Sequence, residues 1–197
     1  VRFENCHSTP LCTPSRVNLM SGKSNVFNYF DFGVYPEGQP TFANYFQEHG
    51  YHTAVAGKWQ LLTRKGGITP EQAGFDTHCL WNIPGGGRNR YWNPSLVQDG
   101  KLLDLPENSY GPDITTDFLI DFIQKNQAEP FLVYFPMILP HNPFDVTPDS
   151  DDPMSRDPKQ NFIDMVQYID KNVGRLEDTL TSLGLREKTL IVFTSDN

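Results

Sequence analysis

Apolar positions along the chain follow two alternating rhythms. Spacings of three and four indicate helices, and short unbroken apolar runs indicate strands. Phe42, Tyr45, Phe46 and His49 fall on one helical face, and Gly50 is suited to end that helix. Residues 51–56 then read as a strand. Ile114, Phe118, Leu119, Phe122 and Ile123 indicate another helix, and residues 131–135 a buried strand. Phe162, Ile163, Val166, Ile169, Val173, Leu176, Leu180 and Leu183 trace a long amphipathic helix that stops at Gly184. Residues 189–194 form a last apolar run and read as a strand. Near the front, Thr13-Pro14-Ser15-Arg16 reads as a helix start, with Thr13 as N-cap, Pro14 at the first helical position and Gly22 as the stop. The alternation predicts an α/β fold with a mostly parallel sheet flanked by helices.

Two stretches break the rhythm. Residues 63–112 are rich in Gly, Pro, Asn and Asp around Pro84-Gly85-Gly86-Gly87, and read as a long excursion of loops with a small hairpin. Loops of that length in compact domains are often functional. Residues 140–159, with Pro140, Pro143, Pro148, Pro153 and Pro158, read as loop. Three of the expected strands run into polar residues: Gly57-Lys58, Pro140-His141 and Ser195-Asp196-Asn197. Ligands of open parallel sheets bind beyond the carboxyl ends of the strands, so parallel strands would gather Lys58, His141, Asp196 and Asn197 on one edge.

Composition narrows the partners. The chain has 197 residues, 38% of them hydrophobic and 20% charged, which suits one folded domain and excludes a disordered chain. Its net charge of −8 argues against nucleic acid and anionic membrane as partners. No apolar run approaches the roughly 20 residues of a membrane span. Cys6, Cys12 and Cys79 are too few for a disulfide framework. No signal-peptide pattern opens the chain.

Cys12 stands at an expected helix N-terminus, where unpaired amides and the helix dipole favour an anion. Thiols in such places ionise readily and act as nucleophiles; a small buried residue beside a turn is the plainer reading. Arg16, one turn on, is placed to hold an anion over the same helix end.

The string Leu11-Cys12-Thr13-Pro14-Ser15-Arg16, followed by Leu19-Met20-Ser21-Gly22-Lys23, resembles the sulfatase signature C-x-P-S-R with its downstream element. Gly57-Lys58-Trp59, Pro140-His141-Asn142-Pro143 and Thr194-Ser195-Asp196-Asn197 follow in the order found in sulfatases, so the resemblance covers essentially the whole chain. It implies an alkaline phosphatase-like α/β domain, with residues 1–197 as part of a catalytic domain. It further implies hydrolysis of a sulfate monoester on a small molecule or glycan, and a periplasmic or secreted location. Cys12 would be oxidised to formylglycine by the formylglycine-generating enzyme. One hydroxyl of the hydrated aldehyde would attack sulfur, and the other would lose its proton and expel sulfate. Arg16 would brace that side chain. Lys58 and His141 would contact the sulfate, with His141 a candidate donor to the leaving alcohol. Asp196 and Asn197, with position 12, would be ligands of Ca²⁺ or Mg²⁺.

Two departures qualify the resemblance. Sulfatases usually read G-K-W-H after the second strand, whereas here it is Gly57-Lys58-Trp59-Gln60. Gln60 can hydrogen-bond a diol but cannot take its proton. His52 or His78 could serve as the base instead, or sulfate release would be slow. The first metal aspartates of the family would precede Val1, and a further sulfate-binding lysine would follow Asn197.

Other readings stay open. The same fold could hydrolyse phosphate or phosphonate esters, or bind sulfated glycans without turnover. Arg88, Arg90, Tyr91 and Trp92 could form a sugar subsite or simply pack a loop. Asp149, Asp151 and Asp152 are better read as a solvated loop than as a cation site.

Overall fold

The computed structural model describes residues 1–197. Helices α1 (Cys12–Ser21), α2 (Asn25–Asn28) and α3 (Phe42–Glu48) precede strand β1 (His52–Lys58). The excursion that follows holds β2 (Leu62–Thr63), β3 (Gly66–Gly67), β4 (Thr77–Trp81), β5 (Val97–Gln98) and β6 (Lys101–Leu102). Then come α4 (Gly111–Lys125), β7 (Phe131–Tyr134), α5 (Pro158–Ser182) and a 3₁₀ turn at Arg186–Lys188.

The main sheet has the order β6-β5-β4-β1-β7. Strands β4, β1 and β7 are parallel, with β7 at one edge, and β5 and β6 add an antiparallel hairpin at the other. Successive residues of β1 serve opposite faces. Ala54 and Ala56 join Cys79 and Trp81 of β4 under Leu119 and Phe122 of α4 and Met165 and Leu180 of α5. Val55 and Leu80 face the other way, toward Val17 and Met20 of α1, Ala43 of α3, and Trp59 and Phe75. A strand buried on both faces lacks polar alternation, which is why β1 reads as one apolar run. The result is a three-layer α/β arrangement, as expected from the sequence.

Three boundaries differ from that expectation. Helix α1 starts at Cys12, with Leu11 in the N-cap position and no side-chain cap. Thr13 is inside the helix, and its hydroxyl accepts the Gly33 amide at 3.1 Å, a tertiary partner that replaces the capping role. Strand β4 lies inside the excursion expected to be loops and a hairpin; pairing with β1 makes a strand of a segment carrying His78 and Cys79. Residues 189–197 form no strand, and Leu190, Val192 and Phe193 are largely exposed. Apolar composition alone does not make a strand, because a ladder of hydrogen bonds needs a neighbour. The outer edge of β7 carries no partner either, so its residues are half-buried rather than buried.

Candidate active site

The carboxyl ends of the parallel strands build the site. Cys12 is the first residue of α1, half-buried, with its thiol free. No side chain caps the first turn, so its amides stay available beside the thiol. Arg16, one turn further, is only 5% exposed. Its Nη1 donates to the carbonyl of Lys58 at 2.8 Å, and its Nη2 pairs with Asp196 Oδ2 at 3.1 Å. One guanidinium thereby ties the helix to the end of β1 and to the end of the chain.

Lys58 is 6% exposed, and its amine lies beside Cys12, Arg16 and Asp196. Burial first, and the Arg16 charge second, hold its pKa below the ordinary lysine value; Cys12 and Asp196 act in the opposite direction. The backbone leading into it is shaped by Gly57, at φ +116°, where a Cβ would lie 2.1 Å from the Pro136 carbonyl oxygen. That approach lets the Lys58 amide donate to the same oxygen at 2.8 Å and docks the segment after β7 against β1.

His141 lies beyond β7, in the loop reached through Pro136. Its ring is exposed and makes no hydrogen bond to the Cys12–Lys58 cluster. Nδ1 lies 2.8 Å from the Asn142 carbonyl, an acceptor, so Nδ1 carries the proton and Nε2 is the free ring atom. The backbone of His141 is held by Tyr91, whose hydroxyl donates to the His141 carbonyl at 2.6 Å and accepts its amide at 3.1 Å. Sequence reasoning missed this role, because no local pattern connects residues 50 apart. Of the two readings of the 88–92 segment, the packed loop is the observed one. Tyr91 is buried, Trp92 Nε1 donates to the Val146 carbonyl at 3.0 Å, and Arg90 lies over the Trp81 ring at 4.3 Å.

Gln60 sits at φ +54°, with its amide donating to the Asn82 carbonyl at 3.2 Å and its buried Oε1 unpartnered. Neither histidine expected as a substitute base reaches the cluster. His52 opens β1, six residues and about 20 Å of extended chain from Lys58. His78 pairs in register with Val55, about 10 Å short of Lys58, and is buried against Glu71 and Asp99. Both stand toward the amino ends of their strands, whereas the cluster forms at the carboxyl ends.

The donor set does not by itself make a calcium or magnesium site. Asp196 is already paired with Arg16, Asn197 is exposed and makes no side-chain bond to the cluster it was expected to join, and no group of three or more His, Cys, Asp or Glu side chains converges anywhere in the chain. A hard divalent cation wants six or more oxygens. Of the acidic loop, Asp149 is engaged by Lys171 at 2.6 Å and Asp152 caps a turn at Met154.

Thiol, guanidinium and ammonium thus meet at the carboxyl edge of an alkaline phosphatase-like α/β sheet. The family model described as Sulfatase matches residues 1–197, and the chain belongs to the sulfatase family. It is 33% identical over 147 residues to an N-acetylglucosamine-6-O-sulfatase of Bacteroides thetaiotaomicron, a stretch covering 72% of this chain and 24% of that protein. It is 26% identical to mouse arylsulfatase G, covering all of this chain and 44% of the relative. The chain therefore spans less than half the length of these relatives. The structure of BT4656 in complex with its substrate D-glucosamine-2-N,6-O-disulfate shares the fold, with a TM-score of 0.73 at 20% identity over 94% of this chain and 56% of that one. No helix is long and apolar enough to cross a membrane.

Proposed function

We propose that this chain carries the nucleophile-bearing part of a sulfuric ester hydrolase acting on a sulfate monoester, with a sulfated glycan as the favoured substrate class. The observation that supports it most directly is the junction at Arg16, which sets the Cys12 helix end, Lys58 and Asp196 around one point. Oxidised to formylglycine and hydrated, position 12 supplies two hydroxyls on one carbon, so that one can take the sulfuryl group and the other can expel it as sulfate.

The remaining residues have roles that follow from charge and placement. Sulfuryl transfer builds negative charge on the sulfate oxygens, and preorganised cations facing that charge are usually the largest catalytic contribution. Lys58 faces Cys12 and receives those oxygens. Arg16 is held rigidly by two partners and braces the position-12 side chain. His141, whose Nδ1 is turned to the Asn142 carbonyl, presents Nε2 as the ring atom that can pass a proton to the departing alcohol oxygen. Gln60 replaces a titratable group with an amide, so the proton lost at sulfate release goes to water or to a slower acceptor. Asp196 and Asn197 are the oxygen donors this stretch would offer a divalent cation, which would supply positive charge beside position 12. Thr13, Pro14 and Arg16 are buried in the folded chain, so a maturation enzyme must read the segment before it folds.

Mass spectrometry of the Cys12 peptide from the native source, paired with turnover of aryl sulfate and aryl phosphate by the full-length protein, tests the reading. An aldehyde at position 12 and preference for the sulfate are expected. A plain thiol with no sulfate turnover sinks it, and faster phosphate turnover transfers it to phosphoryl or phosphonyl esters. The names of the relatives support a glycan substrate: one is an N-acetylglucosamine-6-O-sulfatase, and a structural neighbour is bound to a disulfated glucosamine.

A further inference from the structure

The segment Tyr91-Trp92 sits in the excursion between β4 and α4, yet both side chains turn away from solvent toward the loop that carries His141. Tyr91 is 4% exposed. A phenol has one proton to give and lone pairs to receive with, and Tyr91 spends both on one residue: it donates to the His141 carbonyl at 2.6 Å and accepts the His141 amide at 3.1 Å. Trp92 holds the same loop five residues on, through Nε1 to the Val146 carbonyl at 3.0 Å. The tyrosine is itself fixed from behind. The Gly111 amide donates to the Tyr91 carbonyl at 2.7 Å, and a Cβ at Gly111 would lie 2.2 Å from the Arg90 carbonyl oxygen, so only glycine permits that approach. The Tyr91 ring stacks on Tyr110 at 6.5 Å.

The His141 ring, by contrast, is exposed and bonded only to its neighbour Asn142. Its one bond is to the adjacent residue, so the ring's place depends on the backbone that carries both, and the Tyr91 hydroxyl holds that backbone at His141.

We propose that Tyr91 is a positioning residue for His141: its buried hydroxyl clamps the His141 backbone and thereby aims Nε2 at the reacting ester. This rests on the reading of His141 as the group that meets the sulfate ester. Replacing one hydroxyl removes two hydrogen bonds, and an imidazole out of place costs rate rather than ground-state affinity.

The test uses Tyr91→Phe, which keeps the ring packing, in the full-length protein with an aryl sulfate. A roughly tenfold fall in kcat with KM nearly unchanged is expected. In a His141→Ala background the same substitution should have no further effect on kcat. ¹⁵N NMR of the His141 imidazole provides a readout independent of turnover: a predominantly Nδ1–H ring in the wild type and a mixed-tautomer, more mobile ring in Tyr91→Phe. The proposal is overturned if Tyr91→Phe turns over like the wild type, lowers kcat equally with and without His141, or leaves the imidazole spectrum unchanged. If His141→Ala alone keeps full turnover, the catalytic reading of His141 fails and the aim at the ester with it. The NMR comparison then says separately whether the clamp on the ring exists.

Discussion

Arg16 and Lys58, 42 residues apart, are joined by a 2.8 Å hydrogen bond from the Arg16 guanidinium to the Lys58 backbone carbonyl. The bond goes to the backbone, so it places the end of β1 relative to α1 whatever the Lys58 side chain does. The same guanidinium holds Asp196, leaving the Lys58 amine facing Cys12 within a field set by one cation and one carboxylate.

Arg16→Met should unfasten that junction. The buried carbonyl of Lys58 loses its donor, and an unmet buried acceptor costs about 1–3 kcal/mol. Urea denaturation should read a loss of that size, and aryl sulfate turnover should fall at least a hundredfold. Arg16→Lys should restore little of either, because one ammonium cannot reproduce the planar fork that reaches both partners.

Gly57→Ala tests how Lys58 is presented. At φ +116° and 2.1 Å from the Pro136 oxygen, the added methyl has no room unless β1 and the segment after β7 separate. A destabilisation above about 2 kcal/mol, measured by denaturant midpoint, is expected, together with lost turnover. A variant as stable as the parent would show that the approach does not matter.

Gln60→His introduces a titratable ring where the amide now stands. Histidine tolerates positive φ better than most residues, so the +54° backbone there should accept it. If proton removal at sulfate release limits turnover, pre-steady-state kinetics of the parent should show a burst of alcohol followed by a slow phase. In Gln60→His the slow phase should quicken about tenfold, which corresponds to roughly 1.4 kcal/mol of barrier. An unchanged slow phase would place the limiting step elsewhere.

His78 predicts a pH dependence of folding that has nothing to do with the site. Burial holds its pKa below the ordinary value of 6.5, outweighing the opposing influence of Glu71 and Asp99. Its Nδ1 lies 3.3 Å from Glu71 Oε1 and 3.7 Å from Asp99 Oδ1, and Nε2 faces the Gly100 amide. A base depressed in the folded state takes up its proton more readily when unfolded. Its contribution is therefore complete above 6.5 and is lost as pH falls below that value toward the folded pKa. Denaturation at pH 7.5 and 5.5 should show the parent weakening by up to about 1.4 kcal/mol per pH unit relative to His78→Asn.

Particular residues mark where reading the chain succeeds. The period-3.6 pattern through Phe162–Leu183 announced α5, observed at Pro158–Ser182, because an amphipathic helix writes its buried face into local spacing. Gly22, Gly50 and Gly184 all have the positive φ of helix ends. Strand β4 was hidden, since its polar residues look like loop until β1 pairs with it. The run at residues 189–194 misled in the opposite sense, having the composition of a strand and no partner to make it one.

At the site, residue type and local spacing already name the groups on offer. Cys12, Arg16, Lys58, His141 and Asp196 are a thiol, three nitrogen-bearing groups and a carboxylate, and the order of their motifs carries the family. Which of them touch is settled by the folding of the chain. It gathered Cys12, Arg16, Lys58 and Asp196, tied the His141 backbone to Tyr91, and put His52 and His78 out of reach. The physical reason is that side-chain type and short-range spacing are local properties of the chain. A hydrogen bond across 42 or 50 residues depends on how strands pair and which loop lies beside which, and no window of sequence contains both partners.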